Sequence, residues 1–323
     1  MQRKEKYQLV AKVLEDASQE AIQQLLSSGE KVYTGIGGTA MKLQIESIPV
    51  FAKKLPLTNI EIQNKLSTKN LFELPTYYQY GVGSAGFSAW RELQTHHMTT
   101  EWVLNDECAN FPIMYGYKII QEDNPQKRTQ DDLPKYVKYW NGSKAIKNRM
   151  NALQNSTHSV VVFLEFIPYT FQSYKTHLDA SIIERDLLKT AIFMESKGMI
   201  HFDGHDGNLL TDGAKLYFAD FGLATSLNFD LSDAEVEFFH RHKRYDLAHG
   251  IFAISYSSPE EPEIPNDLKI LRKKYQPISA IYQNFIMSLR HDETKNVIYP
   301  EKELVVLTEK ISSDLSKNST CRI

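Results

Sequence analysis

Apolar residues recur at helical spacing from Tyr7 to Ser28, where Leu9, Val10, Val13, Leu14, Ala17, Ala21, Ile22, Leu25 and Leu26 form one stripe. The pattern predicts one amphipathic helix, stopped at Gly29 and packed as an N-terminal extension. From Val32 the period shortens. Two apolar segments of VYTGIGGTAMKL flank Gly35, Gly37 and Gly38, as in a hairpin, and Ile48 to Leu55 (IPVFAKKL) supplies a further strand. Pro56 to Ser84 reads as an insert with its own loops, ending in the glycine-rich GVGSAG, and no role is assigned to it. Helical spacing returns between Phe87 and Leu104 through Trp90, Leu93, His97 and Met98. Phe111 to Gln121 and the β-branched run Ser159 to Ile167 read as strands, separated by a polar stretch of exposed helix and loop over Glu122 to Asn155. Leu209-Leu210 and Lys215 to Ala219 flank an Asp-Gly turn signal and predict a hairpin. Phe238 to Ala253 reads as a buried helix, and Pro265 to Lys310 as helices and loops.

Composition narrows the class. With 323 residues and 42% apolar content the chain has enough material for substantial cores. A net charge of −3 argues against a globally basic nucleic-acid binder, so no nucleic acid is expected as partner. The run Arg241-His242-Lys243-Arg244 reads as a solvated helix face, with an anion or partner site as the alternative. Two cysteines, Cys108 and Cys321, cannot build a disulfide framework and suit a reducing, cytoplasmic setting. No segment is long and apolar enough to span a membrane, and MQRKEKYQLVAKVL lacks the apolar core of a secretory signal. The paired histidines (His96-His97, His201 and His205, His240 and His242) come without a Cys-His set or an HExxH spacing, which argues against zinc.

The candidate chemistry sits in HFDGHDGNLLTDGAKLYFADFGLAT, His201 to Thr225, where Asp203 precedes Asn208 by five residues and Asp220 by seventeen. Phosphoryl transfer from ATP uses one carboxylate to receive the acceptor hydroxyl, and a second carboxylate with an amide oxygen to hold Mg²⁺ against the phosphates. The predicted hairpin brings Asn208 and Asp220 to neighbouring points.

These residues resemble the protein-kinase superfamily. Its catalytic loop H-R-D-x-x-x-x-N is matched by His201 to Asn208, and its D-F-G by Asp220-Phe221-Gly222. The resemblance covers residues 30 to 225 well and the remainder weakly. It implies an α+β, bilobal fold: an N-terminal extension over 1–29, an antiparallel-sheet N-lobe over 30–167 with the insert at about 56–84, and a mainly helical C-lobe over 168–323. It further implies that Gly35, Gly37 and Gly38 cover the phosphates of ATP, with Ala40 standing in place of the usual third glycine. Lys53 is preferred over Lys54 as the phosphate ligand, because adjacent strand residues face opposite sides. Glu92, in W-R-E-L, is preferred over Glu101 as its partner. The segment Glu165 to Ile167 becomes the hinge at the adenine edge. Asn208 and Asp220 become the Mg²⁺ ligands, Asp203 the catalytic base, and Asp246 a ligand of the catalytic-loop backbone.

Two residues depart from the protein-kinase pattern. Phe202 replaces the arginine that pairs with a phosphorylated activation loop, which implies that this switch is absent. His205 stands where protein kinases place lysine and is similar to the loops of aminoglycoside and choline kinases; it either holds the loop or contacts phosphate. Ser255 to Glu260 only superficially matches A-P-E. The resulting expectation is an ATP- and Mg²⁺-dependent kinase acting on serine or threonine of a protein substrate. A small-molecule hydroxyl acceptor is the alternative, and a pseudokinase or nucleotidyl-transferring scaffold stands further off.

Overall fold

Two helices carry the N-terminal apolar stripe where one was expected: α1 (Arg3–Asp16) and α2 (Gln19–Ser27). The break lies at Ala17-Ser18, where Ala17 is extended and the Ser18 side chain accepts the Ala21 N–H, starting a new helix. The apolar period runs on through the break, because Val10 and Leu14 of α1 and Ile22 and Leu26 of α2 are all buried.

The computed structural model describes residues 1–35, 38–121, 132–255 and 263–317. They divide into two units. The first comprises Met1–Gln79, Gly83–Ile167 and Phe221–Leu223, and the second Tyr80–Val82, Pro168–Asp220 and Ala224–Ile323.

The first unit is built on five antiparallel strands, β1 (Glu30–Gly35), β2 (Gly38–Ile45), β3 (Ile48–Leu57), β4 (Met114–Gln121) and β5 (His158–Glu165), in the order β1-β2-β3-β5-β4. Glu46 and Ser47 both take positive φ between β2 and β3, as a two-residue hairpin whose twist suits the sheet requires. In the register, Lys53 on β3 faces Ala40 on one side and Val162 on the other. Leu55, Leu57, Val160, Val162 and Leu164 pack against Ala89, Trp90 and Leu93 of the helix α4 (Ala89–Leu104), which follows the short α3 (Asn59–Gln63). Helix α4 begins two residues later than its apolar period suggests, because the Ser88 side chain caps it by accepting the Trp90 N–H. The predicted exposed stretch contributes α5 (Asp132–Tyr139) and α6 (Lys144–Gln154).

Within this unit one carboxylate of the 56–84 insert ties it to the start of α4. Glu61 Oε2 accepts from the Thr58 N–H at 2.9 Å and the Thr58 hydroxyl at 2.6 Å, closing a capping box at the start of α3. Glu61 Oε1 accepts the Ala89 N–H at 3.0 Å, and its carbonyl accepts from Trp90 Nε1 at 2.8 Å. The insert therefore holds the N-terminus of α4. Arg149 on α6 completes the anchor, donating to the Gly86 carbonyl at 2.7 Å and approaching Glu61 at 3.5 Å.

The second unit is mainly helical, and with the sheet of the first it makes the chain α+β. It runs through β6 (Tyr169–Thr170), α7 (Phe171–Tyr174), α8 (Ala180–Ser196), β7 (Met199–Ile200), β8 (Leu209–Thr211), β9 (Leu216–Phe218) and β10 (Thr225–Ser226). Four helices follow: α9 (Asp233–His240), α10 (Tyr245–Ser255), α11 (Asn266–His291) and α12 (Glu301–Lys317). The single helix expected over Phe238 to Ala253 is two, because Arg241 to Arg244 form the turn between α9 and α10 and Arg244 takes φ 64°. In that run Arg241 and Lys243 are exposed but His242 is buried, so the run is a turn that carries one residue inward and not a helix face. Residues 256–260 of the A-P-E-like segment lie outside the described residues.

Candidate active site

Two constellations carry the residues singled out by sequence, one in each unit. In the first unit, Lys53 Nζ donates to Glu92 Oε1 at 2.7 Å, and both residues are buried, at 8% and 4% exposure. By strand alternation Lys53 shares a face with Leu55 and Leu57, which pack against α4, while Lys54 points to the other face and is half-exposed. Glu92 lies in the first turn of α4, which Ser88 and Glu61 fix. His96, one helical turn on, stands 3.9 Å from Glu92 and edge-on to Phe221, with ring centroids 4.9 Å apart. Its two ring nitrogens are buried without hydrogen-bond partners. Glu101 is paired with His97 at 3.4 Å on the exposed side of α4, away from Lys53's partner.

The glycine-rich turn is described at its two ends. Gly35 and Gly38 face each other across β1 and β2, while Gly37 lies outside the described residues. Gly38 takes φ 136°, and a Cβ there would stand 2.1 Å from the Lys54 carbonyl oxygen, so only glycine fits. At the end of β5, Glu165 uses its groups within the unit. Its N–H donates to the Ile113 carbonyl at 2.7 Å, and its carboxylate takes the Arg3 guanidinium at 2.6 Å and the Ile113 N–H at 3.2 Å. Ile167 is buried two residues on.

Within the first unit, Phe221–Leu223 are met by Gln79, Gly86, His96 and Phe111. Gln79 donates its side-chain amide to the Leu223 carbonyl, and a Cβ at Gly86 would lie 2.4 Å from the Gly222 carbonyl oxygen. Phe221 is buried beside Phe111 and His96.

In the second unit His201 to Asn208 are held by a set of hydrogen bonds. The Asp203 N–H donates to His201 Nδ1 at 3.2 Å, which leaves Nε2 to donate to the Ala219 carbonyl at 3.0 Å. One neutral imidazole thus ties the loop to the residue before Asp220. Burial is the main cause that lowers the pKa of His201 to about 4, in keeping with that tautomer. Asn208 Nδ2 donates at 3.0 Å to both the carbonyl and Oδ2 of Asp203. The Asn208 carbonyl accepts the Ala219 N–H at 3.0 Å, continuing the ladder Leu209–Phe218, Leu210–Tyr217 and Thr211–Leu216. The tip of this hairpin is closed by Asp212, whose Oδ1 accepts the N–H groups of Ala214 and Lys215 at 2.9 and 3.0 Å.

Beneath the loop, buried Asp246 on α10 accepts the N–H of His201 at 2.7 Å and of Phe202 at 3.1 Å. Burial raises its pKa to about 7, while these two donors favour the ionised form. The pair of bonds holds Phe202 at φ 62°, an unusual conformation for an aromatic residue. The Phe202 ring is buried among Tyr80, Phe238, His242 and Tyr245. His205 is turned back on its own loop, its Nδ1 accepting the Gly207 N–H at 3.0 Å.

Asp203, Asn208 and Asp220 are each half-buried. Because the Asn208 amide nitrogen is spent on Asp203, the amide offers an oxygen as its remaining group. A carboxylate and an amide oxygen form a hard-oxygen donor set that suits Mg²⁺. Among the described residues there is no group of three His, Cys, Asp or Glu side chains that could hold a metal ion, so the pair of oxygen donors stands without a third acidic ligand. Sequence reasoning missed Glu61 and Gln79, which make contacts with residues far along the chain. Among the described residues no helix is long and apolar enough to cross a membrane. Comparison with protein-family models and with curated proteins finds no match to this chain.

Proposed function

We propose that the protein is an ATP- and Mg²⁺-dependent phosphotransferase with a bilobal, protein-kinase-like fold, which moves the γ-phosphoryl group to a hydroxyl. The observation that carries this reading is the bonded set His201, Asp203, Asn208 and Ala219, which fixes a carboxylate and an amide oxygen next to the start of the D-F-G turn. Asp203 orients the acceptor hydroxyl and takes its proton. Lys53, held by Glu92, binds phosphate oxygens. Asn208 and Asp220 would hold Mg²⁺, which when bound neutralises charge on the phosphates. Gly35, Gly37 and Gly38 cover them, and the hinge near Ile167 receives the adenine.

A serine or threonine of a protein is the acceptor we favour, on the protein-kinase-like D-F-G-L-A and V-F-A-K-K elements. The second reading, a small-molecule hydroxyl, draws on Phe202. Its ring is buried among aromatic side chains, where a protein kinase regulated by activation-loop phosphorylation keeps an arginine. Incubation with γ- and α-labelled ATP, alone and with a cell extract, separates the cases. Label from γ on protein supports the first acceptor, and label from γ in small molecules alone supports the second. Label from α would mean nucleotidyl transfer, and no transfer from either position would overturn the phosphotransferase assignment.

A further inference from the structure

The tail of the 56–84 insert places a tight turn against the proposed catalytic carboxylate. The Val82 N–H donates to the Tyr80 carbonyl at 2.8 Å, so Tyr80-Gly81-Val82 is a three-residue turn with Gly81 at its apex. A Cβ at Gly81 would stand 2.3 Å from Asp203 Oδ1, 3.3 Å from Asp203 Cγ and 3.2 Å from the Phe202 carbonyl oxygen. Gly81 is not among the residues with positive φ, so glycine is required here by space and not by backbone conformation. A short side chain such as aspartate has no slack to absorb that overlap, and its carboxylate must rotate away.

The turn is itself anchored. Tyr80 is buried, with its ring against Phe202, Phe238 and Phe285. The His242 Nδ1–H donates to the Phe238 carbonyl at 2.6 Å, which leaves Nε2 to accept the Tyr80 hydroxyl at 2.7 Å. Asp203 is therefore bounded by Asn208 at Oδ2 and by the turn at Oδ1.

We propose that Tyr80-Gly81-Val82 is a positioning element for Asp203, with Gly81 as the backstop that fixes the carboxylate and Tyr80 as its anchor. The inference rests on the phosphotransferase reading. It gives the insert a task in turnover beyond its support of α4. A carboxylate held on two sides enters the reaction without a search over rotamers, and a misplacement of about 1 Å can cost about 100-fold in rate.

The test uses the full chain with Mg²⁺ and γ-labelled ATP, following label released to water and label transferred to protein. Asp203→Asn, Gly81→Ala, Tyr80→Phe and the double variant Gly81→Ala/Asp203→Asn are compared with wild type. We expect Gly81→Ala to lower kcat by about 10- to 100-fold with the KM for ATP within about twofold of wild type. In the Asp203→Asn background the same change should have no further effect, because there is no catalytic carboxylate left to misplace. Tyr80→Phe, which keeps the ring and removes the hydroxyl, should lower kcat by a smaller factor at unchanged KM, and it decides the matter if Gly81→Ala does not fold. Wild-type turnover with Asp203→Asn inactive but Gly81→Ala or Tyr80→Phe at full kcat would overturn the positioning role and leave the phosphotransferase reading standing. A fall in kcat matched by a rise in KM and a lower melting temperature would also overturn it, in favour of general loosening. Absence of wild-type turnover would overturn both.

Discussion

Lys53 and Glu92 form a buried ion pair with 2.7 Å between nitrogen and oxygen. Breaking a buried ion pair by removing one partner costs about 3–5 kcal/mol, whereas removing both can be close to neutral. Glu92→Ala should lower the urea midpoint markedly, and Lys53→Met/Glu92→Leu should recover most of the loss. In the proposed reaction neither protein turns over. A double variant no more stable than Glu92→Ala would show that the pair does not act as a unit.

In the proposed reaction Asp203 and Asp220 separate chemistry from binding. Asp203→Asn keeps a hydrogen-bonding group for Asn208 but cannot take a proton, so transfer should be abolished while ATP affinity holds within a few-fold. Asp220→Ala should weaken nucleotide binding in Mg²⁺ and leave binding in EDTA unchanged. Isothermal titration with and without Mg²⁺ measures both, and turnover that survives both substitutions would remove the assignment.

Acid should destabilise the protein from near-neutral pH downward. Burial lowers His201 and His242 from the ordinary 6.5 to about 4, so the unfolded chain binds protons that the folded one refuses. Their contribution is present above pH 6.5 and lost as pH falls toward 4. Asp246, raised by burial to about 7, acts in the opposite sense over the same range. Two histidines against one carboxylate leave a net loss of about 1.4 kcal/mol per pH unit. His249, also kept neutral by burial, adds to it. Urea midpoints at pH 7, 6 and 5 should fall in that order, and a constant midpoint would contradict the balance.

His96 is buried with neither ring nitrogen hydrogen-bonded, beside Glu92 and Phe221. A polar group in that state costs about 1–3 kcal/mol relative to a satisfied one. His96→Leu, of similar volume, should therefore leave thermal stability unchanged or raise it by a few degrees. A loss of about 2 kcal/mol or more would indicate that the imidazole makes a contribution to the Glu92 surroundings that its geometry does not display.

What local pattern controls is legible in the sequence. Strand alternation separates Lys53 from Lys54, helical period and a W-R-E-L setting put Glu92 near the start of its helix, and Asp-Gly marks the hairpin joining Asn208 to Asp220. The Ser18 cap is weaker as a sequence signal, because it splits a stripe whose apolar period continues on both sides. Tertiary contacts left no such trace. Glu61 reads as an ordinary surface acid until its carboxylate is seen at Ala89 N, and Gly81 reads as one of several loop glycines until the Asp203 carboxylate stands behind it. His242 sat in a basic run whose charge suggested solvent, and only the turn between α9 and α10 carries it inward.

The β8–β9 ladder has a practical corollary. Three cross-strand pairs and the Asn208–Ala219 bond fix the separation of the two proposed metal ligands, while the tip at 212–215 is closed locally by Asp212. Length changes at that tip are thereby insulated from the ligands at the hairpin's base. The tip is a place where a fluorophore or a short reporter sequence can be grafted to watch nucleotide loading without disturbing the atoms that perform it.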